Sequence, residues 1–194
     1  MSKEKILARI RANKPAATDL PTVPLFPMEV PDLVHTFTSI AEKGFSKCIS
    51  LADAQDLGAI IGIHYPEAQK IASCFSGFSG NIDLAQVTHP SDLNDVDLAI
   101  IPGQIGVAEN GAIWVSEAEC PHRVLPFITQ HLLLTLYKDQ LVWNLHEAYQ
   151  QIKIDATGFG VFIAGPSKTA DIEQSLVIGA QGARSLTIIL LDQK

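Results

Sequence analysis

A glutamate is predicted to lie at the tip of a turn near the middle of the chain. Residues 105–109 and 112–116 are two apolar runs joined by Asn110 and Gly111, a pair that readily adopts the positive φ angles of a tight turn. An exposed Glu109 carboxylate there could act as a nucleophile or a general base. A hairpin glutamate that only contacts water explains the pattern equally well. Glu109 is therefore a catalytic residue by hypothesis, with Asn110 and Gly111 as candidate ligand-binding neighbours.

A second candidate site lies near the carboxyl end of the sequence, where an apolar run leads into a Gly-Pro turn. Residues 160–164 have the composition of a buried strand, and the Gly-Pro pair follows directly. Ser167 or Thr169 could then cap a helix that we expect over about residues 169–178. This strand, turn and helix would bring several polar groups together near the carboxyl edge of the sheet, the edge where open α/β folds bind ligands.

The start of that predicted helix could bind a small anion. Backbone N–H groups there have no partners within the helix, and the helix dipole and the Lys168 ammonium would both favour negative charge. Asp171 and Glu173 could instead satisfy the same positive end, and the segment lacks the spacing of a phosphate-binding P-loop. A plain capped turn is therefore the alternative. The candidate ligand-binding residues are Gly165, Ser167, Lys168 and Thr169.

The cysteines and histidines do not form the pattern of a metal site. Cys48, Cys74 and Cys120 are widely spaced without a C-x-x-C pair, and the six histidines contain no H-x-H or H-x-x-x-H pair. A dinucleotide-binding G-x-G-x-x-G is also absent from the sequence. We therefore expect no metal and no cofactor. We expect the three cysteines to be small core residues, with Cys120, which stands beside a proline and a histidine, as the one that could be reactive.

The elements that must position these residues alternate between helix and strand over the first hundred residues, which is typical of a layered α/β domain. We expect helices at residues 2–13, 31–44, 54–63 and 143–153. Gly44 is expected to end its helix in a left-handed conformation. We expect strands at residues 45–51, 70–75, 97–102, 131–137, 160–164 and 185–191. The last four should lie in one mainly parallel sheet, because such short apolar runs need cover on both faces.

An N-terminal arm is expected to precede the domain. Ile6, Leu7 and Ile10 form an apolar stripe on the first helix, and five prolines between residues 15 and 31 then exclude regular helix. The arm would contact its own domain or a neighbouring subunit, so a homodimer is compatible with it. We thus divide the chain into the arm, 1–31, and one α/β domain, 32–194.

The composition and charge of the chain limit the classes of molecule with which it could associate. The 194 residues suit one domain, and a net charge of −7 without a strong basic cluster argues against nucleic acid. The polar start of the sequence does not resemble a signal peptide, and no apolar run is long enough for a membrane span. A cytoplasmic location is therefore expected.

Three segments of the sequence resemble a known family. Gly-Pro-Ser-Lys-Thr-Ala-Asp-Ile-Glu at 165–173, with Gly179 and Gly182 downstream, resembles the C-terminal signature of the LUD-domain family of lactate-utilisation proteins. Residues 106–113 resemble the family's Ala-Glu-Thr-Gly-Thr loop, and 126–131 resemble its downstream proline and histidine positions. The sequence departs from the family pattern where Asn110 and Ala112 replace two threonines and Gln181 replaces a histidine.

The resemblance implies a fold similar to the sugar-phosphate isomerase and coenzyme A transferase superfamily, with three layers and a mainly parallel sheet. It also implies iron–sulfur oxidoreductase subunits as partners in L-lactate oxidation, with this chain as a non-redox subunit that binds a small anionic ligand. A coenzyme A transferase-like enzyme is one alternative, because Ala-Glu-Asn-Gly resembles the Ser-Glu-Asn-Gly in which such enzymes form a thioester on glutamate. A non-catalytic assembly factor is another. Convergence of Glu109, Lys168 and Thr169 on one pocket would favour a shared site.

Overall fold

The central sheet of the protein is parallel. A computed structural model describes residues 2–19, 21–22, 24, 32–153, 158–169 and 176–192. Among these, five parallel strands pair in the order β1-β11-β6-β3-β2: β1 (Ser46–Leu51), β2 (Ile71–Ser73), β3 (Leu98–Pro102), β6 (His131–Tyr137) and β11 (Ser185–Leu191). Runs of leucine and isoleucine that are buried on both faces explain why β6 and β11 occupy the middle of the sheet. The predicted strands at 131–137 and 185–191 are confirmed.

A second sheet packs against the first. Its described strands pair in the order β7-β4-β5-β8: β4 (Ile105–Val107), β5 (Ala112–Ser116), β7 (Leu141–Val142) and β8 (Gly160–Ile163). The expectation that residues 160–164 belong to the main parallel sheet is wrong, because β8 pairs antiparallel with β5. Trp114 stands opposite Phe162 in this pairing, with ring centroids 4.9 Å apart. This aromatic pair favours the neighbouring strand that β8 adopts.

Helices complete the layers. The described helices are α1 (Lys3–Ala12), α2 (Leu33–Lys43), α3 (Leu57–His64), α4 (Leu125–Ile128) and α5 (Leu145–Gln151). One face of the central sheet packs on α3 through Leu57 and Ile61. The opposite face packs on α2, through Phe37, and on the second sheet, so that three layers share the core. α5 covers the outer face of the second sheet. The predicted α/β fold with a mainly parallel central sheet is confirmed.

The predicted helix at 169–178 is wrong where the structure describes it. Lys168–Thr169 form β9, and Val177–Ile178 form β10, which pairs with it antiparallel. Residues 170–175, which include Asp171 and Glu173, lie outside the described residues. Threonine, valine and isoleucine favour extended backbone, and pairing across the hairpin outweighs the local capping pattern.

The end of α2 also differs from the prediction. Gly44 has φ −80°, and the left-handed residue is Phe45, with φ +70°. The N–H of Phe45 still bonds to the carbonyl of Glu42, so the chain turns one residue later than the glycine indicated.

The first helix is formed as expected but is not packed. The Ser2 hydroxyl accepts a hydrogen bond from Lys5 N–H, and every residue of α1 is exposed, including Ile6 and Ile10. Residues 14–19 have no regular structure, whereas residues 25–31 of the predicted arm lie outside the described part. Across the described part of the chain, none of the helices has the length and hydropathy that a membrane crossing requires.

Candidate functional site

The loop around Glu109 connects β4 to β5 and leans on α5. Glu109 N–H donates a 2.9 Å hydrogen bond to the carbonyl of Trp143, and its exposed carboxylate accepts one of 2.8 Å from the N–H of Leu145. Leu145 is the first residue of α5, whose N-cap, Asn144, accepts from Glu147 N–H. The carboxylate therefore adds negative charge and an acceptor at the start of a helix, where both are stabilising.

The turn that follows Glu109 requires its glycine. Gly111 has φ +67°, and a Cβ at this position would lie 2.8 Å from the Cα of Ala41 in α2. Asn110 keeps a negative φ, in contrast to the expectation for the pair, and its side-chain oxygen accepts a 3.0 Å hydrogen bond from Ala112 N–H. Asn110 and Gly111 thus shape the loop and seat it against α2.

Lys168 ties the second candidate loop to the same helix. Its Nζ donates hydrogen bonds to the carbonyls of Gly44, at 3.0 Å, and Ala164, at 3.1 Å. Gly165 has φ +77°, and a Cβ there would lie 2.2 Å from the Gly44 carbonyl oxygen. Because an ammonium group has three protons, these two bonds leave one proton for another acceptor.

The backbone of this loop is not the start of a helix. Ser167 N–H donates to the carbonyl of Ala183 at 3.0 Å, and the Ser167 carbonyl accepts from Gly179 N–H at 2.9 Å. Thr169 lies opposite Val177 in the hairpin. The expected helix start is therefore wrong, because the N–H of Ser167 is paired and Lys168 and Thr169 belong to a strand. Ligand binding by these residues stays a prediction.

The hairpin cavity, as we call the space beside β9, has a volume of about 360 Å³. The four candidate residues Gly165, Ser167, Lys168 and Thr169 line it, whereas Glu109, Asn110 and Gly111 do not. Its apolar wall includes Phe127, Leu132, Val161 and Phe162, and its remaining polar residue of note is Gln181. Sequence reasoning missed most of this wall, since its residues come from segments far apart in the chain.

The position of the hairpin cavity corrects another expectation. The candidate loop was expected at the carboxyl edge of the sheet, yet the cavity reaches Leu132, near the start of β6, and Ala183, just before β11. It therefore opens near the amino ends of the central strands.

The two candidate loops meet the same helix but do not form a shared pocket. Gly111 packs against Ala41, and Gly165 and Lys168 contact Gly44 at the end of α2. The Glu109 carboxylate, however, binds the start of α5 and takes no part in the wall of the hairpin cavity.

The three cysteines lie in or against the hydrophobic core, as expected, but the most buried of them is the one that was expected to be reactive. Cys120 is buried, and hydrogen bonding with Cys74 together with burial raises the pKa of the Cys120 thiol. The same hydrogen bond lowers the pKa of Cys74. Cys120 is therefore the less reactive of the two. Among the described residues, no group of three or more His, Cys, Asp and Glu side chains is arranged to hold a metal ion.

The sequence of this chain is similar to those of proteins named lactate utilization protein C. The chain is 31% identical to lactate utilization protein C of Shouchella clausii over 104 residues, which cover 50% of this chain and 45% of the relative. It is 28% identical to lactate utilization protein C of Oceanobacillus iheyensis over 102 residues, or 50% of this chain and 44% of the relative. The matches thus span less than half the length of these relatives.

A solved structure and a family model extend the similarity over most of the chain. The crystal structure of a DUF162 family protein from Deinococcus radiodurans superposes with a TM-score of 0.62 at 16% sequence identity, and covers 85% of this chain and 99% of that one. At this identity the likeness concerns the fold. The model of the LUD domain matches residues 32–191, which include both candidate loops. The chain therefore belongs to the LUD domain family.

Proposed function

We propose that this chain takes part in lactate utilisation as a non-redox subunit beside iron–sulfur oxidoreductase partners. The observation that carries the proposal is the similarity of half the chain to proteins named lactate utilization protein C. Oxidation of lactate needs an electron acceptor, and the cysteine spacing of this sequence offers no cluster motif. This composition fits a complex in which the partner subunits hold the redox centres.

The hairpin cavity is the proposed site of a small anionic ligand. The remaining proton of the Lys168 ammonium supplies a charge-assisted donor, and the hydroxyls of Ser167 and Thr169 belong to residues that line the same space. Phe162 and Leu132 form part of an apolar wall. A small organic acid with a short hydrocarbon part combines the charge and the apolar surface that this lining complements.

The coenzyme A transferase-like alternative has weaker support. A covalent glutamate must face the bound acyl group, but Glu109 is not part of the hairpin cavity and its carboxylate accepts a bond from Leu145. Asn110 and Gly111 also have structural partners. The assembly-factor alternative predicts no ligand at all, so binding measurements separate it from the leading proposal.

Deletion of the gene in its native host tests the proposal. We expect loss of growth on L-lactate as the carbon source, normal growth on glucose, and recovery when the wild-type gene is returned. An affinity-tagged chain should co-purify with iron–sulfur proteins, which tandem mass spectrometry and the visible spectrum of the complex identify. Normal growth of the deletion strain on L-lactate, without a second homologous gene, would contradict the proposal.

A further inference from the structure

A second cavity, of about 310 Å³, opens at the amino edge of the central sheet; we call it the edge cavity. Leu132, which lines the hairpin cavity, and His131, which lines this one, are neighbours on β6 and so face opposite sides of the sheet. The residues that matter for its chemistry are Tyr65, Glu67, Asp97, Gln130, His131 and Arg184.

Backbone hydrogen bonds hold four of these residues side by side at the starts of three adjacent strands. His131 N–H donates to the carbonyl of Asp97 at 2.9 Å, and Arg184 N–H donates to the carbonyl of Gln130 at 2.8 Å. These residues stand at the starts of β3, β6 and β11, which are adjacent in the sheet. Their side chains are thus placed by rigid strands rather than by a loop, which favours a preformed site.

His131 is oriented as a hydrogen-bonding group. Its Nδ1 lies 2.8 Å from the Ser185 hydroxyl, and the ring of Tyr65 lies 5.3 Å away, centroid to centroid. Tyr65 is itself fixed by a buried 2.6 Å hydrogen bond with Thr187. Burial, and then the nearby charge of Arg184, lower the pKa of His131, which favours the neutral form of its ring. When the serine hydroxyl donates to Nδ1, Nε2 carries the proton and has no partner within the described residues.

Arg184 brings a positive charge to the same cavity. Its guanidinium makes no hydrogen bond or ion pair with the residues that the structure describes, while its stem lies close to Gly179. By contrast, one oxygen of Asp97 accepts from both Gln69 and Lys70 N–H at 2.8 Å. Among the described residues, the guanidinium therefore has no acceptor, and a ligand could supply one.

The charges of the wall limit the charge of a ligand. Asp97 and Glu67 add two carboxylates beside the single guanidinium. A ligand with one negative charge can pair with Arg184, whereas each further negative charge meets repulsion from these acids. A volume of about 310 Å³ is at the small end of ligand pockets.

We propose that the edge cavity binds a small monocarboxylate, whose carboxylate pairs with Arg184 and accepts a hydrogen bond from Nε2–H of His131. This site goes beyond the proposed function, because it uses the opposite face of the sheet from Lys168. Propionate is the natural probe, and propionamide is its uncharged match in size.

Nuclear magnetic resonance titration of the full chain tests the site. We expect propionate to shift the backbone resonances of Gln130, His131 and Arg184 and the ring resonances of His131, with saturation. Propionamide and inorganic phosphate should shift them far less. Arg184→Gln should weaken propionate binding at least tenfold, and Arg184→Lys should weaken it less because the charge remains. Arg123→Gln removes the same charge outside the cavity and should bind as the wild type does.

Several results would overturn the proposal. Equal shifts with propionamide would mean that charge is not recognised, and shifts elsewhere on the surface would mean that the site is not this cavity. If Arg184→Gln bound propionate as tightly as the wild type does, the guanidinium would not pair with the carboxylate, and the proposal would be wrong. His131→Asn provides a second variant if Arg184→Gln fails to fold; it should also weaken binding, and unchanged affinity would again contradict the proposal.

Discussion

Glu109 accepts a hydrogen bond of 2.8 Å from the backbone N–H of Leu145, the residue that begins α5. The residue that sequence reasoning marked as a nucleophile thus contacts a helix start across 36 positions of the chain. In the same turn, its own N–H bonds to the carbonyl of Trp143. The loop and the helix therefore support each other.

Variants of Glu109 distinguish a structural role of this residue from a catalytic one. Glu109→Ala removes the acceptor and should lower the free energy of unfolding by roughly 0.5–1.5 kcal/mol. Glu109→Gln retains an oxygen acceptor and should lose less. Both are measured by urea unfolding. If the glutamate instead forms a thioester with coenzyme A, Glu109→Gln would abolish coenzyme A transfer while its stability stays near that of the wild type.

Gly165 is expected to be irreplaceable. Gly165→Ala places a Cβ at positive φ and 2.2 Å from the Gly44 carbonyl oxygen, so we expect a loss of more than about 2 kcal/mol in unfolding free energy. The matched control is Gly62→Ala, in the exposed interior of α3, where an added Cβ meets nothing within 4 Å. That change should stabilise the protein by roughly 0.5–1 kcal/mol. Equal melting temperatures for the two variants would refute this reasoning.

His131 should make stability depend on pH. Its pKa in the folded protein is lowered by burial and by Arg184, against the opposing charge of Asp97, while the unfolded chain has the ordinary value of about 6.5. The unfolded state therefore takes up the proton first as pH falls. The stability due to neutral His131 is present above about pH 6.5 and is lost as pH falls through the folded pKa. Denaturant unfolding between pH 7.5 and 5 should thus show a smaller decline for His131→Asn than for the wild type. Parallel curves would show that this ring does not contribute.

The sequence predicts best those elements that depend on residues close together in the chain. β6 and β11 have the predicted bounds because a run of seven mostly apolar residues leaves few alternatives to a buried strand. β8 was placed in the wrong sheet because a four-residue apolar strand fits either sheet, and its partner, β5, is chosen by contacts such as Trp114 with Phe162. A short stretch of sequence thus indicates that a strand forms, but it does not indicate which strand will pair with it.

The candidate sites show the same limit. A hydroxyl residue before acidic residues indicates a helix start, yet pairing of Thr169 with Val177 makes this segment a hairpin. His131 lies at the first position of the predicted strand 131–137, and its ring is half-buried and bonds to the Ser185 hydroxyl. Its approach to Arg184 could not be predicted, because the two residues are 53 positions apart in the sequence and meet only through the order of the strands.

The N-terminal arm should be dispensable for folding. Every residue of α1 is exposed, and a ten-residue helix without packing is marginal in water. Shortening the chain to the proposed domain, residues 32–194, should therefore leave the unfolding free energy unchanged within about 0.5 kcal/mol. A larger loss would mean that the arm covers the domain. Light scattering on both chains tests whether the arm holds a homodimer together: such a dimer becomes a monomer when the arm is removed.

The last prediction concerns Lys168 and the proposed ligand of the hairpin cavity. Lys168→Ala removes the charge-assisted donor, which should cost roughly 1.5–3 kcal/mol, or about ten- to a hundredfold in affinity for a small organic acid. Calorimetry with L-lactate, pyruvate and acetyl-coenzyme A measures it. Because Nζ also binds the carbonyls of Gly44 and Ala164, unfolding curves must accompany the titrations.

Three variants make that result interpretable. Lys168→Arg keeps the charge and should retain most of the affinity, and Ser167→Ala tests the cavity without removing the bonds to Gly44. Arg184→Gln removes a charge from the edge cavity on the opposite face of the sheet and should leave binding beside Lys168 nearly intact. If Lys168→Ala binds these acids as tightly as the wild type does, or if neither protein binds them, Lys168 serves only to fasten the hairpin to α2.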